Sequence, residues 1–573
     1  MPIESALFVD SNECHPSEKT EPVQPPEIFC QILHLAVGRD GIKALLPFTN
    51  VSARWRRAAL GDSSLWTTIY VKQTPTLLLD MILARAGDQL FTVYVDDPDV
   101  DRLAKLWKLV DRIEELHYST EPGRLAPFLS SLGPAPNLKV LHLRPWLTAG
   151  TGGTESSLCL PTIFSGCLPS LRSLVLTETI FWPAGIFKGL TSFECGDREM
   201  YPLSPVHLLG VLRESPSLES LRLTGICNHP KGSRQSIAPL TVALPSLRKC
   251  ILTGEGTTAL MLFMTVPPSA VVFLSKSYIS FGIVSPKSNL FATSPGLAIL
   301  DEVSAVSFSL DDTAVRLRAR NDHGGVFDSE ERELDSFSRD PARFVPFIRS
   351  SLECGRTCPG FKSARVFTLD IKRERIWLPE ESASFARDLM RFLSNLPGVE
   401  EVKLQGVPLR ELSIIFEALG GPPGSQLPCK NLKRLHVEST PLRSPRSLLA
   451  GLDGLLSGRR NAGAPIQSIA VKVKCEMPIP VAGHHAVLTS WEGLVGGGAR
   501  LEYERTEVKK LPRCRRRDYL EDDDEWDDVD EDNDKGYEEE DEVASTGDSG
   551  DCNHGWDGWP ERWPETLEEM GGQ

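Results

Sequence analysis

Five stretches, PNLKVLHL at 136–143, PSLRSLVL at 169–176, PSLESLRL at 216–223, PSLRKCIL at 245–252 and PGVEEVKL at 397–404, share one phrase. Each runs apolar-x-x-apolar-x-apolar and opens on proline. The last three positions alternate, and side chains that alternate with period two line one face of a short strand. Weaker copies stand at LFTVYV 90–95, IEELHY 113–118, LTSFEC 190–195, VSAVSF 303–308, VFTLDI 366–371, LKRLHV 432–437 and IQSIAV 466–471. The early starts are 19 to 33 residues apart, and the later ones, at 366, 399, 432 and 466, are spaced by 33, 33 and 34. Helix-like runs such as VHLLGVLRES at 206–215 and FARDLMRFLSNL at 385–396 fall between phrases. One strand and one helix cannot bury their apolar faces alone, so units of this kind stack. The expected fold is α/β, with a parallel sheet carried by a curved solenoid over residues 72–505.

The solenoid phrase resembles an irregular leucine-rich repeat, although the Asn or Cys usual after each strand is mostly missing. Residues 311–343 interrupt it with DDTAVRLRARNDHGG and SEERELDSFSRD. Val315-Arg316-Leu317-Arg318 alternates like an edge strand, and the stretch is expected to be an insertion or a degenerate repeat, a solvated excursion rather than a recognition loop.

Ahead of the repeats, residues 1–24 are polar and aperiodic and suit a disordered leader. Order begins at Pro25-Pro26-Glu27-Ile28, where proline fits a first helical turn and Glu27 suits the positive end of the helix dipole. Ile28, Ile32, Leu33 and Leu35 recur at helical spacing. Two more helices are expected, one near Leu45, Leu46 and Phe48 and one through Val51 and Trp55. Gly61-Asp62 ends the third, and Thr67–Val71 is extended. A unit of this size, without a metal or disulfide pattern, needs a partner or a neighbouring domain to cover its apolar residues.

The strings PPEIFCQIL at 25–33, FTNVSARWRRAAL at 48–60 and SSLWTTIYV at 63–71 resemble an F-box, and more narrowly the F-boxes of the large mushroom-type fungal families. Gln24, Ser52 and Ser64 stand where those families usually carry Leu, Cys and Pro. The resemblance covers 25–71 and implies a three-helix F-box docking on a Skp-type adaptor and, through it, a cullin. It implies Pro26, Ile28, Ile32, Leu33, Leu46, Val51 and Trp55 as adaptor-binding residues, with Trp55 also suited to the segment's own core. The function that follows is the substrate-recognition subunit of an SCF-type ubiquitin ligase, its repeats binding an unknown protein substrate. The alternative is a non-ligase scaffold for protein–protein interaction.

Other classes fit less well. No Walker A string, G-x-G-x-x-G, H-E-x-x-H or G-x-S-x-G occurs, and His484-His485 lacks the spaced ligands of a metal site, suiting a surface loop instead. No catalytic residue, metal or cofactor is expected. Thirteen cysteines without a regular framework suit small buried hydrophobes in a reducing compartment, cytoplasm or nucleus. No run reaches the roughly 20 apolar residues of a membrane span, and no nucleic acid is expected as partner.

The net charge of −16 is uneven. Residues 521–542 hold 16 acids against one Lys, and residues 543–573 hold 7 acids against one Arg, which leaves +5 for residues 1–520. The tail, 506–573, is expected to be disordered, basic first and then acidic. Its VKKLPRCRRR at 508–517 fits either a nuclear-import or phosphate-binding patch or a solvated solenoid end. Its tryptophans, Trp526, Trp556, Trp559 and Trp563, fit either a linear docking segment or a terminal cap.

Overall fold

A computed structural model describes residues 26–505, apart from 41, 73, 97–99, 146–157, 160–161, 178–179, 183–184, 197–204, 226–240, 255–259, 262, 279–296, 312–313, 334–351, 353–357, 373–378, 422–426, 441, 443–444, 476–480 and 496–497. The leader and the tail with its basic, acidic and tryptophan-bearing segments lie outside the described residues. The chain is mixed α/β: a large, mostly parallel sheet with eleven α-helices among the described residues.

Seventeen strands form one sheet. The first nine follow chain order: β1 (Thr68–Tyr70), β2 (Phe91–Asp96), β3 (Ile113–Thr120), β4 (Val140–Pro145), β5 (Ser173–Thr177), β6 (Ser192–Gly196), β7 (Ser220–Leu223), β8 (Lys249–Thr253) and β9 (Val271–Tyr278). Strands β2 to β8, and the later β13 (Val366–Ile371), β14 (Glu401–Val407), β15 (Arg434–Ser439) and β16 (Ser468–Cys475), fall on the phrases read from sequence. The last strand is β17 (Ala499–Arg505).

The charged stretch departs from expectation. After β9 the chain lays down β10 (Val303–Leu310) three places along, then folds back through β11 (Ala314–Asn321) and β12 (Val326–Glu333) to fill the gap. The order across this region is therefore β9, β12, β11, β10, β13, and only the pairs on either side of β11 are antiparallel. Residues 314–333 are an interior hairpin, neither an edge strand nor a solvated excursion. The reason is their alternation: Val315, Leu317, Ala319 and Phe327 are buried on the core side, which holds the intervening charges on the other face.

The hairpin turn is tied from within. Asn321 Nδ2 donates to Pro268 O (2.8 Å) and Ile299 O (3.3 Å), while its Oδ1 accepts from His323 N and Gly325 N. On the far side, Gly360 lies so close to the preceding crossover that a Cβ there would overlap the Leu300 carbonyl oxygen. Gly360→Ala is expected to cost about 3 kcal/mol, since backbone rather than a flexible side chain must move. Urea unfolding of the variant checks this, with a lower midpoint expected.

Each parallel strand contributes its alternate residues to the core. The inward file begins Ile69, Val93, Leu116, Leu141 and continues in register to Val402, Leu435 and Ile469, all at most 1% exposed. In the C-terminal half, α8 (Pro379–Ser394), α9 (Leu409–Gly420), α10 (Arg446–Asn461) and α11 (Val481–Leu494) alternate with strands. α9 and α10 approach closely through glycine: a Cβ on Gly451 would lie 3.2 Å from Phe416, and one on Gly458 3.0 Å from Gly420 O. Trp491 of α11 is buried and donates from Nε1 to Asp453 Oδ1 of α10 at 2.6 Å.

His484 and His485 lie on α11, not in a loop. The buried cysteines Cys195, Cys250, Cys358 and Cys429 are free thiols inside the core, and burial pushes the Cys250 and Cys429 thiols up to about 12. Among the described residues no helix is long and apolar enough to cross a membrane.

Candidate docking surfaces

The N-terminal segment has two apolar faces, and only one is used internally. Helix α1 (Pro26–Asp40) turns Phe29, Leu33 and Val37 inward, where each is buried. These positions recur at i, i+4, i+8, on one side of a 3.6-residue helix. Phe29 meets Trp55 edge-on at 4.6 Å, and Trp55 stacks on Phe48 at 5.3 Å. Arg54 lies over the Phe29 ring at 4.6 Å.

Local hydrogen bonds fix the frame around this cluster. Helix α2 (Leu45–Val51) ends at Ser52, whose extended backbone starts α3 (Ala53–Gly61) and whose Oγ accepts from Trp55 N at 3.4 Å. Serine is a strong N-cap residue, so Ser52 suits the start of α3. Trp66 Nε1 donates to Ala59 O at 2.9 Å. Asp62 accepts from Ser64 N at 3.0 Å and from Ser64 Oγ, and lies 3.3 Å from His34 Nε2 of α1. Partial burial works against the Asp62 carboxylate, but bonds from Ser64 and Cys30, with His34 nearby, hold its pKa below the ordinary value.

The other face of α1 carries Ile28 (40% exposed), Ile32 (38%) and Leu35 (77%), and Val51 at the end of α2 is 62% exposed. Beyond them, α4 (Thr76–Ala86) exposes Leu77 and Met81, one turn apart. Among the described residues, every exposed large hydrophobic lies between 28 and 81. Arg56 and Arg57 on α3 and Arg85 on α4 are exposed in the same stretch. An apolar patch with a charged rim is the make-up of a protein-docking surface.

The residues expected to bind an adaptor therefore separate. Ile28, Ile32 and Val51 are exposed, and Trp55 is half-buried in the aromatic cluster. Leu33 is wholly buried, so it holds α1 in place and offers no surface to a partner. The side chains of Pro26 and Leu46 lie outside the described residues. Leu35, Leu77 and Met81 were not among the expected residues. The i, i+4, i+7 spacing from Ile28 points to Leu35, and the apolar run TLLLDMIL at 76–83 is the signal for the other two.

The second surface is the open face of the sheet. Its central row begins Tyr70, Tyr94, His117, His142, one residue from each of β1 to β4. The first three rings stack at 4.6 and 4.4 Å, and His117 and His142 meet edge-on at 5.4 Å with their Nδ1 atoms 3.3 Å apart. A bond between two Nδ1 atoms needs one to carry the proton and one to lack it, so at least one ring is neutral. Burial lowers the pKa of both, against the pull of Glu115 on His117. His142, with His117 and Arg144 nearby, falls to about 4.

A histidine whose folded pKa is depressed takes its proton more readily in the unfolded chain. Its stabilising share is complete above the unfolded value of about 6.5 and is lost as pH falls toward the folded value. The melting temperature is expected to drop between pH 6.5 and pH 4, and His142→Phe is expected to flatten that drop, as thermal melts across the range would show.

Farther along, cross-strand ion pairs cover the open face: Arg434–Glu401 at 2.9 Å and Lys474–Glu438 at 2.7 Å. Exposed pairs of this kind contribute at most about 1 kcal/mol each. Among the described residues, no group of three or more His, Cys, Asp or Glu is placed to hold a metal ion.

Neither protein-family models nor curated proteins give a match to this chain.

Proposed function

We propose that the chain is a substrate-recognition subunit of an SCF-type ubiquitin ligase, with residues 25–71 an F-box that docks on a Skp-type adaptor and the repeats a leucine-rich-repeat-like solenoid that binds the target. The observation that carries the reading is the outward stripe of Ile28, Ile32 and Leu35, with Val51 on the next helix, on a segment whose inward face is already packed. Exposed isoleucines and leucines in consecutive turns of a helix fit a groove on a partner. The three ordered strings at 25–33, 48–60 and 63–71 supply the identity of that partner.

The sheet's open face is long and polar and keeps its side chains in register across seventeen strands, which suits recognition by an extended surface. The chemistry in this reading is proximity. The receptor holds a target beside the ubiquitin-carrying enzyme, raises its effective concentration and contributes no reacting group. In this proposal the exposed Ile28, Ile32, Leu35 and Val51 form the adaptor surface, with buried Leu33 supporting it from the core.

Affinity capture of the tagged full chain, beside an Ile28→Asp/Val51→Asp variant, tests the proposal. Adaptor and cullin are expected with the unaltered chain and absent with the variant. Capture of neither by either form favours a non-ligase scaffold.

A further inference from the structure

The interior hairpin sets three arginines on the open face, Arg316, Arg318 and Arg320 at alternate positions of β11. The two flanks of this row differ. On the β12 side, Asp328 stands opposite Arg318 and Glu330 opposite Arg316. On the β10 side the opposing residues are Ala305, Ser307 and Ser309, and in β13 beyond them Val366, Thr368 and Asp370. Carboxylates lie on one side, and hydroxyls with a single acid two strands away on the other.

The acids leave the middle arginine of the row without a side-chain hydrogen bond. Arg316 Nη2 donates to Glu330 Oε1 at 2.7 Å, and Glu330 is 4% exposed, so that pair is made. Asp328 lies farther off, 3.6 Å from Arg316 Nε and 3.9 Å from Arg318 Nε, beyond hydrogen-bond reach. Among the described residues the Arg318 side chain makes no hydrogen bond beyond its long ion pair with Asp328, although a guanidinium carries five N–H donors, and it is 27% exposed. Partial burial, with Arg320 and Arg316 as like-charged neighbours and Asp328 pulling the other way, lowers its pKa.

We infer that Arg318, with Arg316, Arg320 and the hydroxyls of Ser307, Ser309 and Thr368, forms an oxyanion-binding site on the open face, which takes a phosphoserine or carboxylate side chain of an acidic protein segment. Guanidinium and hydroxyl donors around one spot are the usual recognition set for such an oxyanion. The alternate spacing of the arginines matches side chains two residues apart on an extended segment. The inference takes the open face as the target side of the proposed receptor. Its test contains no adaptor, so failure here leaves adaptor docking untouched, and failure there leaves this site standing.

The experiment is a fluorescence-anisotropy titration of the full chain with a labelled glycine–alanine peptide carrying two phosphoserines two residues apart. The same peptide with glutamates, the same with plain serines, and a single-stranded RNA of similar length are run beside it. Saturable binding of the phosphorylated or glutamate peptide over the serine peptide is expected, with loss of about tenfold or more in Arg318→Gln. Preference for the phosphorylated form assigns the site to phosphate monoesters, and equal binding assigns it to carboxylates. Should Arg318→Gln fail to give a native melt, Ser307→Ala/Ser309→Ala decides, and a drop of about threefold is expected from the lost hydroxyl donors. No saturable binding, equal binding of the serine peptide, tighter binding of the RNA, or an affinity unchanged in the deciding variant would overturn the inference.

Discussion

Arg459→Met is expected to lower the stability of the chain by about 4 kcal/mol, more than any surface substitution. Arg459 is fully buried on α10, and among the described residues no carboxylate pairs with it. Its guanidinium donates to five backbone carbonyls instead: Ala464 O from Nε, Leu419 O and Pro428 O from Nη1, and Cys429 O and Lys430 O from Nη2, at 2.9 to 3.4 Å. Leu419 is near the C-terminus of α9, where helical carbonyls lack intrahelical partners, and 428–430 is a turn. One side chain thus helps close a helix end and a turn, where Leu432 N also donates to Cys429 O at 2.8 Å. Burial pulls the arginine's pKa down, yet the carbonyl dipoles let it stay charged there.

Methionine fills similar space and donates nothing. Leu419 O and Pro428 O would lose this donor in the buried interior, at about 1–3 kcal/mol each before relaxation. Urea unfolding measures the loss, with the transition shifted to lower urea. A loss below about 1 kcal/mol would mean that water replaces the guanidinium without difficulty, and the account of this corner would fall.

How much of this was legible in the sequence depends on the kind of signal. Most of the strands were, because a half-buried parallel strand writes its alternation into Leu141/Leu143 or Val402/Leu404, although Val326–Glu333 and Ala499–Arg505 fell on no phrase read from sequence. The strand Val271–Tyr278 was not, since VVFL is a continuous apolar run that does not show a period. The hairpin was half legible. Val315 and Leu317 alternate with Arg316 and Arg318 as a strand should, but arginines on both open positions suggest solvent until Asp328 and Glu330 are brought opposite them. That pairing joins residues 10 to 14 apart around a turn whose lock, Asn321 on Pro268 O and Ile299 O, is a tertiary contact.

The N-terminal helix shows the same limit. Ile28, Ile32, Leu33 and Leu35 were all visible as a helical apolar set. Which stripe turns inward is decided by Phe29, Phe48 and Trp55, whose mutual packing spacing does not encode. Arg459 gives no sequence signal, because a lone arginine late in a helix usually faces water.

Ile28→Asp/Val51→Asp should remove adaptor binding while leaving the fold intact. Both side chains are substantially exposed in the free chain, so the exchange should change stability by no more than about 0.5 kcal/mol. In a docked complex each would be buried against an apolar groove, where the lost burial is about 2 kcal/mol per side chain and an unpaired carboxylate adds more. Together the two should weaken binding by about a thousandfold. Leu33→Asp is the contrast: with its side chain fully buried, it should unfold α1 rather than trim a surface.

The most direct measurement is a calorimetric titration of purified Skp-type adaptor into the full chain and into the double variant, with thermal melts of both. A one-to-one complex with the unaltered chain, and no detectable heat with a variant that melts at the same temperature, is the predicted result. Equal affinity for both forms, or no binding by the unaltered chain, would contradict the proposed role of the exposed face of residues 28–51.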